Sequence, residues 1–530
     1  MRFVLVLLAG CAAPKADLIL RGGVVVTLDD AMPRATAVAV RGERILAVGD
    51  DDQIDAWRGE GTRVIELRGA TVTPGLIDAH AHIESLGRSL EILDLRGALS
   101  AEEIAARVAI AAGASSGWIL GRGWDQNDWQ GGAQAAFPTR ESLDRAAPGR
   151  PVLLTRIDGH AAWASSEALR LAGVGPGTPD PPGGRILRDA ASGEPTGILI
   201  DEAMPLVERH VPLPDETTRE RRILAAIRRC VAVGLTGVHD MGVDEGGYRI
   251  LRRLAERGAL ALRVYVVGAP GEADRLLGTP IATSPYLARR AVKLYADGAL
   301  GSRGAALQEG YFDDPGNRGL LLATRERISA LARRALDGGW QLAVHAIGDR
   351  ANRVVLDALE EAVGARRDHR FRVEHAQVVD PADRARFARL GVIASMQPAH
   401  WTSDSPWAPA RLGPERMRGA YAWRSLGAAG AGLAFGSDFP VEEPDPRLGL
   451  HAAVTRVGEG LDRTEALRAF TAGAAWASFD EARLGRIRPG LLADLTVLGG
   501  DYMVAPADTI PHMPVRYTIV GGKIVHAGGD

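Results

Sequence analysis

The sequence predicts an α/β protein built on a closed (β/α)8 TIM barrel, and three observations carry that prediction. Eight short apolar runs recur along the middle of the chain: GLIDAHAH at 75–82, then GLTGVHDM, LRVYVVGA, RAVKLYADG, QLAVHAIGD, FRVEHAQ, GVIASMQP and GLAFGSDFP from residue 234 onward. Helical stretches such as RANRVVLDALEEAVGA and ADRARFARLG join most of them. Strands that alternate with helices lie parallel, each helix serving as a crossover, and eight such units suggest a closed barrel. Both chain ends have a different texture, with short β-branched segments punctuated by glycine. They point to one small β domain assembled from the two termini.

The chain opens with MRFVLVLLAGC, in which Arg2 precedes an apolar run from Phe3 to Ala9 and then Gly10 and Cys11. Residues 1–11 resemble a bacterial lipoprotein signal, with LAGC as the lipobox and Cys11 as the lipidated first mature residue. That predicts a cell-envelope protein; the alternative is a cytoplasmic protein with an apolar start. The run is far too short to cross a bilayer, and no later run reaches ~20 apolar residues, so lipid alone would provide the anchor. Residues 16–72 together with 483–530 form the predicted β domain, and 73–482 form the barrel. The interval 84–215 is too long for one crossover. It carries the Trp-rich GRGWDQNDW and the segment RIDGHAAWASSEAL, and is expected to be a subdomain inserted over the first strand.

Hydrophobic content of 46% and charged content of 24% are those of an ordinary globular protein. The net charge of −3, with both signs interspersed, gives no footprint for nucleic acid, so a small-molecule substrate is the expected partner. A homodimer is the base-rate expectation. Cys11 and Cys230 are the only cysteines, which excludes a disulfide framework or a cysteine-based zinc site. Of 63 basic residues only Lys15, Lys293 and Lys523 are lysine. A lysine in the buried-looking run AVKLYADG therefore calls for a reason other than charge.

Active sites of such barrels lie at the C-terminal ends of the strands. His80 and His82 are two apart at the end of the first strand and share a face. Lys293 belongs to the fourth strand, His345 ends the fifth, His375 the sixth and Asp438 the eighth. Four imidazoles and a carboxylate converging on one mouth predict one or two divalent ions. Trp124, His160, Arg303, Gln397 and His400 are candidate substrate contacts, with Trp129, Trp163 and Trp401 extending an aromatic wall. Each has a structural alternative, such as a loop ion pair between Arg303 and Glu309. His239, on the second strand, is read as structural or substrate-facing.

VTPGLIDAHAH followed by the ordered Lys, His, His and Asp resembles the metal-dependent amidohydrolase superfamily. GRGWDQNDW, DGHAAWASSEAL, VKLYADGALGSRGAAL, VHAIGDRA and GSDFPV resemble its amidohydrolase-3 branch, which includes N-substituted formamide deformylase-like proteins. The resemblance implies a (β/α)8 barrel, a composite β-sandwich from both termini, and hydrolysis by a metal-activated hydroxide. It also implies His80, His82, Lys293, His345, His375 and Asp438 as metal residues. Asp438 is then the catalytic acid–base group. The metal is zinc foremost, one ion or two, and two if Lys293 is carboxylated. A carbamate needs a lysine amine, for which arginine cannot substitute; the competing picture is an ammonium that reaches solvent or pairs with Asp297. Cleavage of an amide or formamide-like C–N bond leads the functional expectations. Ester or lactone hydrolysis uses the same machinery. A mononuclear deaminase lacks its His-x-x-Glu here, and a surface lipoprotein that binds without turnover would have lost a ligand.

Overall fold

The computed structural model describes residues 14–114, 117–129 and 136–528. Cys11 and the signal-like segment 1–11 lie outside the described residues. The central sheet contains the eight predicted parallel strands in sequence order. They are β1 (Leu76–Ala81), β2 (Leu235–Val243), β3 (Arg263–Gly268), β4 (Leu287–Tyr295), β5 (Gln341–Ala346), β6 (Arg372–His375), β7 (Ile393–Met396) and β8 (Gly432–Phe435). Connecting helices are capped as their sequences suggest. Asp215, Asp244 and Thr324 accept backbone N–H bonds at the starts of helices 216–232, 245–256 and 325–338. The apolar faces of these helices pack on the outer residues of the strands in one continuous core.

The ladder from β1 to β8 is nearly a full circle, and the seam is closed by local bonds. The Asp438 amide donates to the His80 carbonyl at 2.7 Å, and the His82 amide to the Phe439 carbonyl at 2.9 Å. Beneath them the Asp78 carboxylate accepts from the Ser437 amide at 3.1 Å and its hydroxyl at 2.6 Å. Gly436 permits this approach: a Cβ there would lie 2.4 Å from Asp78 Oδ1 and 2.5 Å from the His80 nitrogen.

Ile77 and Ala79 pack with Ala474, Ala475 and Ala477 of the helix 472–477, Asp78 lies beside Cys230 of the connecting helix 216–232, and His80 turns to Glu374 inside the barrel. Apolar side chains usually fill barrel interiors in layers. Here a charged layer interrupts them: Arg372 bonds Glu374, the Ser395 hydroxyl and His239 Nδ1 inside the barrel. His239 is therefore structural.

Two further sheets, of four and six strands, flank the barrel. The four-stranded sheet uses residues 18–66. The six-stranded one joins Val24–Val26, Arg34–Ala35 and Thr71–Pro74 to the C-terminal strands Leu495–Leu498, Val515–Val520 and Lys523–Ala527. Leu20, Val25, Val38, Ile65, Val72, Val497 and Ile519 share one core between these sheets. The insertion forms a separate six-stranded sheet running from Leu93–Asp94 to Pro195–Asp201, with its own core around Trp124 and Trp163. No helix among the described residues is long and apolar enough to cross a membrane.

Candidate metal centre

The C-terminal ends of the strands open into a cavity of about 900 Å³, roofed by the inserted subdomain. His80, His82, Lys293, His345, His375 and Asp438 all line it. The orientation of each imidazole follows from the partner of its other nitrogen. His80 Nδ1 donates to Glu374 Oε2 at 2.6 Å and His82 Nδ1 to the Met241 carbonyl at 2.9 Å, so both present Nε2 to the cavity. His375 Nδ1 donates to Gln397 Oε1 at 2.8 Å. His345 is turned the other way, with Nε2 3.4 Å from the Gly298 carbonyl. Such outer partners fix the tautomer and aim the free lone pair, as around metal-bound histidines.

Asp438 sits at the centre. Its Oδ1 lies 3.2 Å from His82 Nε2 and 3.6 Å from His80 Nε2, while Oδ2 lies 3.6 Å from His400 Nε2. Two groups with the spacing of metal donors result, His80–His82–Asp438 and His375–His400–Asp438, and they share this carboxylate. His375 and Asp438 both hold left-handed backbone, at φ +73° and +59°. Residues in this region cost of order 1–3 kcal/mol and cluster at functional sites. The twist matters for His375. Regular alternation along β6 would send it outward with Val373, and the left-handed turn re-aims it into the mouth.

Burial sets the charge states. It lowers His80 to about 4, with the nearby Lys293 charge adding to the effect, and it holds His345 and His375 well below the usual imidazole range. These three imidazoles are neutral, as a cation requires. Burial also brings Lys293 down to about 8. Its Nζ lies 3.0 Å from His80 Nε2. The Asp297 partner envisaged for Lys293 is engaged elsewhere, accepting from the amides of Ala306, Ile347 and Gly348. Against the pull of burial, the neighbouring His80 imidazole and hydrogen bonds from His400 and His82 hold Asp438 well below the ordinary carboxylate range. His400 behaves differently. Burial opposes its charge, but bonds to Asp438 and Glu442 raise it to about 10, so a cation on the second group has to displace its proton. Neutral imidazoles aimed at an ionised, shared carboxylate are a donor set that fits a divalent cation.

The predicted substrate contacts divide. His160 lines the cavity, its Nδ1 donating to Asp201 Oδ1 at 2.7 Å and its ring 5.4 Å from that of His345. Asp201 outweighs the effect of burial and raises His160 to about 8. His400 also lines the cavity. Trp124 does not: it is fully buried in the core of the insertion with its indole N–H on the Leu154 carbonyl at 2.8 Å. Gln397 lies behind His375 and orients it. Arg303 is outside the cavity wall and pairs with Asp313 at 3.0 Å, not with Glu309. Trp129 and Trp163 pack around Trp124, and Trp401 lies under Arg456. Sequence reasoning missed Glu374, Asp201, Glu442 and Arg122. Only Glu374 had a legible signal, as the inward position beside a candidate ligand.

A (β/α)8 barrel whose mouth gathers these imidazoles around one carboxylate defines a metal-dependent hydrolase. The chain belongs to the Amidohydrolase family, which matches residues 63–526. It is 35% identical over 525 residues to YtcJ of Bacillus subtilis (strain 168), covering 95% of this chain and 98% of that one. It is 28% identical to N-substituted formamide deformylase of Arthrobacter pascens, over 96% of this chain and 98% of that one. The crystal structure of an uncharacterized metal-dependent hydrolase from Pyrococcus furiosus superposes with a TM-score of 0.73 at 32% identity, over 92% of this chain and all of that one.

Proposed function

We propose that the protein hydrolyses a C–N bond in a small amide or formamide-like substrate, at a centre of two divalent ions with zinc foremost. The proposed ligands are His80, His82, Lys293 as its carbamate, His345, His375 and Asp438. The observation that carries this reading is Asp438, one ionised carboxylate placed between two groups of candidate donors. The formamide deformylase relative supports the bond type.

When bound, a divalent ion acidifies a coordinated water and polarises a scissile carbonyl. The chain's own residues do the rest. The imidazoles offer lone pairs because burial keeps them neutral. Neutral Lys293 can attack carbon dioxide through Nζ, forming an N–C bond and releasing one proton, which leaves an anionic carbamate. Asp438 accepts a proton from the attacking water and returns it to the leaving nitrogen. His160, with Nδ1 tied to Asp201, turns Nε2 toward the cavity, where it can bond a substrate oxygen.

The test is a screen of metal-reconstituted protein against N-formyl amines, N-acyl amines and cyclic amides, with matched esters and lactones. Metal-dependent turnover of an amide, lost on chelation, is expected. Turnover of esters or lactones alone would overturn the C–N reading.

We propose further, from the sequence of residues 1–11, that the mature chain is anchored in the cell envelope through lipid on Cys11. Mass spectrometry of the mature N-terminus checks this, and an unmodified Met1 would refute it.

A further inference from the structure

Three arginines line the cavity, and two of them are neutralised. Arg96 pairs with Asp94 at 2.6 Å and with Glu443. Arg156 pairs with Asp125 at 2.5 Å and with Asp158. Arg122 is the exception. One of its Nη atoms donates to the Ile157 carbonyl at 2.7 Å, its Nε is buried with no hydrogen-bond partner, and no carboxylate among the described residues lies within 4.0 Å of it. The acids whose charge reaches it are Asp438, Asp158 and Glu208, with Arg88 opposing. Asp158 is occupied by Arg156 and by the His160 amide at 3.0 Å. Glu208, also in the wall, stands too far off for direct pairing.

A guanidinium kept largely from water without a counter-charge is expensive, and proteins normally pair it. The backbone is shaped to hold this one in place. Gly159 has φ +77°, and a Cβ there would lie 3.4 and 3.5 Å from the two Nη atoms, so the 157–160 loop packs flat against the guanidinium. The donor fork faces the same cavity as Asp438, and its geometry matches a carboxylate bidentately. Trp407, Ile157, Leu322 and Val441 supply apolar wall in the same cavity.

We propose that Arg122 is a specificity residue that docks a carboxylate carried by the substrate, so that the preferred substrates are amides bearing an acid group. This rests on the hydrolytic reading of the metal centre, and the test separates the two.

The probes are N-formylphenylalanine and N-(2-phenylethyl)formamide, which share a skeleton and differ by the carboxylate. Calorimetric titration of metal-free protein measures binding without turnover, and initial rates on zinc-loaded protein measure hydrolysis. Wild type is expected to bind the carboxylated probe at least about 10-fold tighter. That preference should collapse toward unity in Arg122→Gln and survive in part in Arg122→Lys, whose retained charge also reports that the site is folded. Equal binding of the two probes by wild type, no detectable binding of the acid, or a preference unchanged in Arg122→Gln would each overturn the proposal. A preference that depends on Arg122 in metal-free protein, with neither probe hydrolysed after metal loading, would uphold the carboxylate site while refuting amide hydrolysis.

Discussion

Lys293 Nζ and His80 Nε2 lie 3.0 Å apart, so the lysine occupies the lone pair that a metal ion would take from His80. The two states exclude each other: an ammonium hydrogen-bonded to His80, or a carbamate beside a metal-bound His80. Protein loaded with zinc in bicarbonate is expected to hold close to two ions per chain, and Lys293→Ala close to one. Activity should fall by about 100-fold or more. Elemental analysis reads the stoichiometry. Full activity and two ions retained in the variant would exclude the bridge.

Asp438 is held ionised and stands between the two donor groups. Asp438→Asn keeps the shape but removes the proton acceptor. Its kcat should drop by about 10²–10⁴-fold, the range for loss of general acid–base catalysis. A variant within a factor of a few of wild type would remove Asp438 from the proton path.

His160 titrates near 8 in the folded protein against 6.5 unfolded, because its bond to Asp201 outweighs burial. A raised histidine contributes stability that is fully present below pH 6.5 and is lost as pH rises through about 8. In metal-free protein, His160→Gln should therefore cost most below pH 6.5, about 2 kcal/mol at most. The gap to wild type should narrow by pH 9, roughly one unit above the folded value. Thermal melts across this range check it, and a pH-independent gap would contradict the His160–Asp201 ion pair.

Gly436 lets β8 close on β1. Its replacement by alanine forces a methyl group against Asp78 and the His80 backbone, both within 2.5 Å. Gly436→Ala should destabilise the protein by about 1–3 kcal/mol. It should also weaken metal binding, because His80 shares the displaced backbone. An unchanged melting temperature together with full metal content would show that the seam relaxes freely.

The barrel was legible because each strand is a local apolar run whose period of two shows in any window, and helices separate most of the runs. The candidate ligands were legible for the same reason: His80, Lys293, His345 and Asp438 fall at predicted strand ends. Their outer partners were not. Glu374 meets His80 from a strand 294 residues away, and no local pattern registers such a contact.

The insertion marks the boundary most clearly. Arg122 and Trp124 are two apart on the strand Ile119–Trp124, and strict alternation would place both on one face. A register shift between them, at Gly123 with φ +107°, breaks that alternation. Trp124 turns into the subdomain core and Arg122 into the cavity. The sequence alone determined the barrel, the order of candidate metal ligands along its strands, and the aptness of a lysine where arginine cannot react. Only tertiary structure decided which side chains of the insertion reach the cavity, since a single bulged residue reverses the face a side chain occupies.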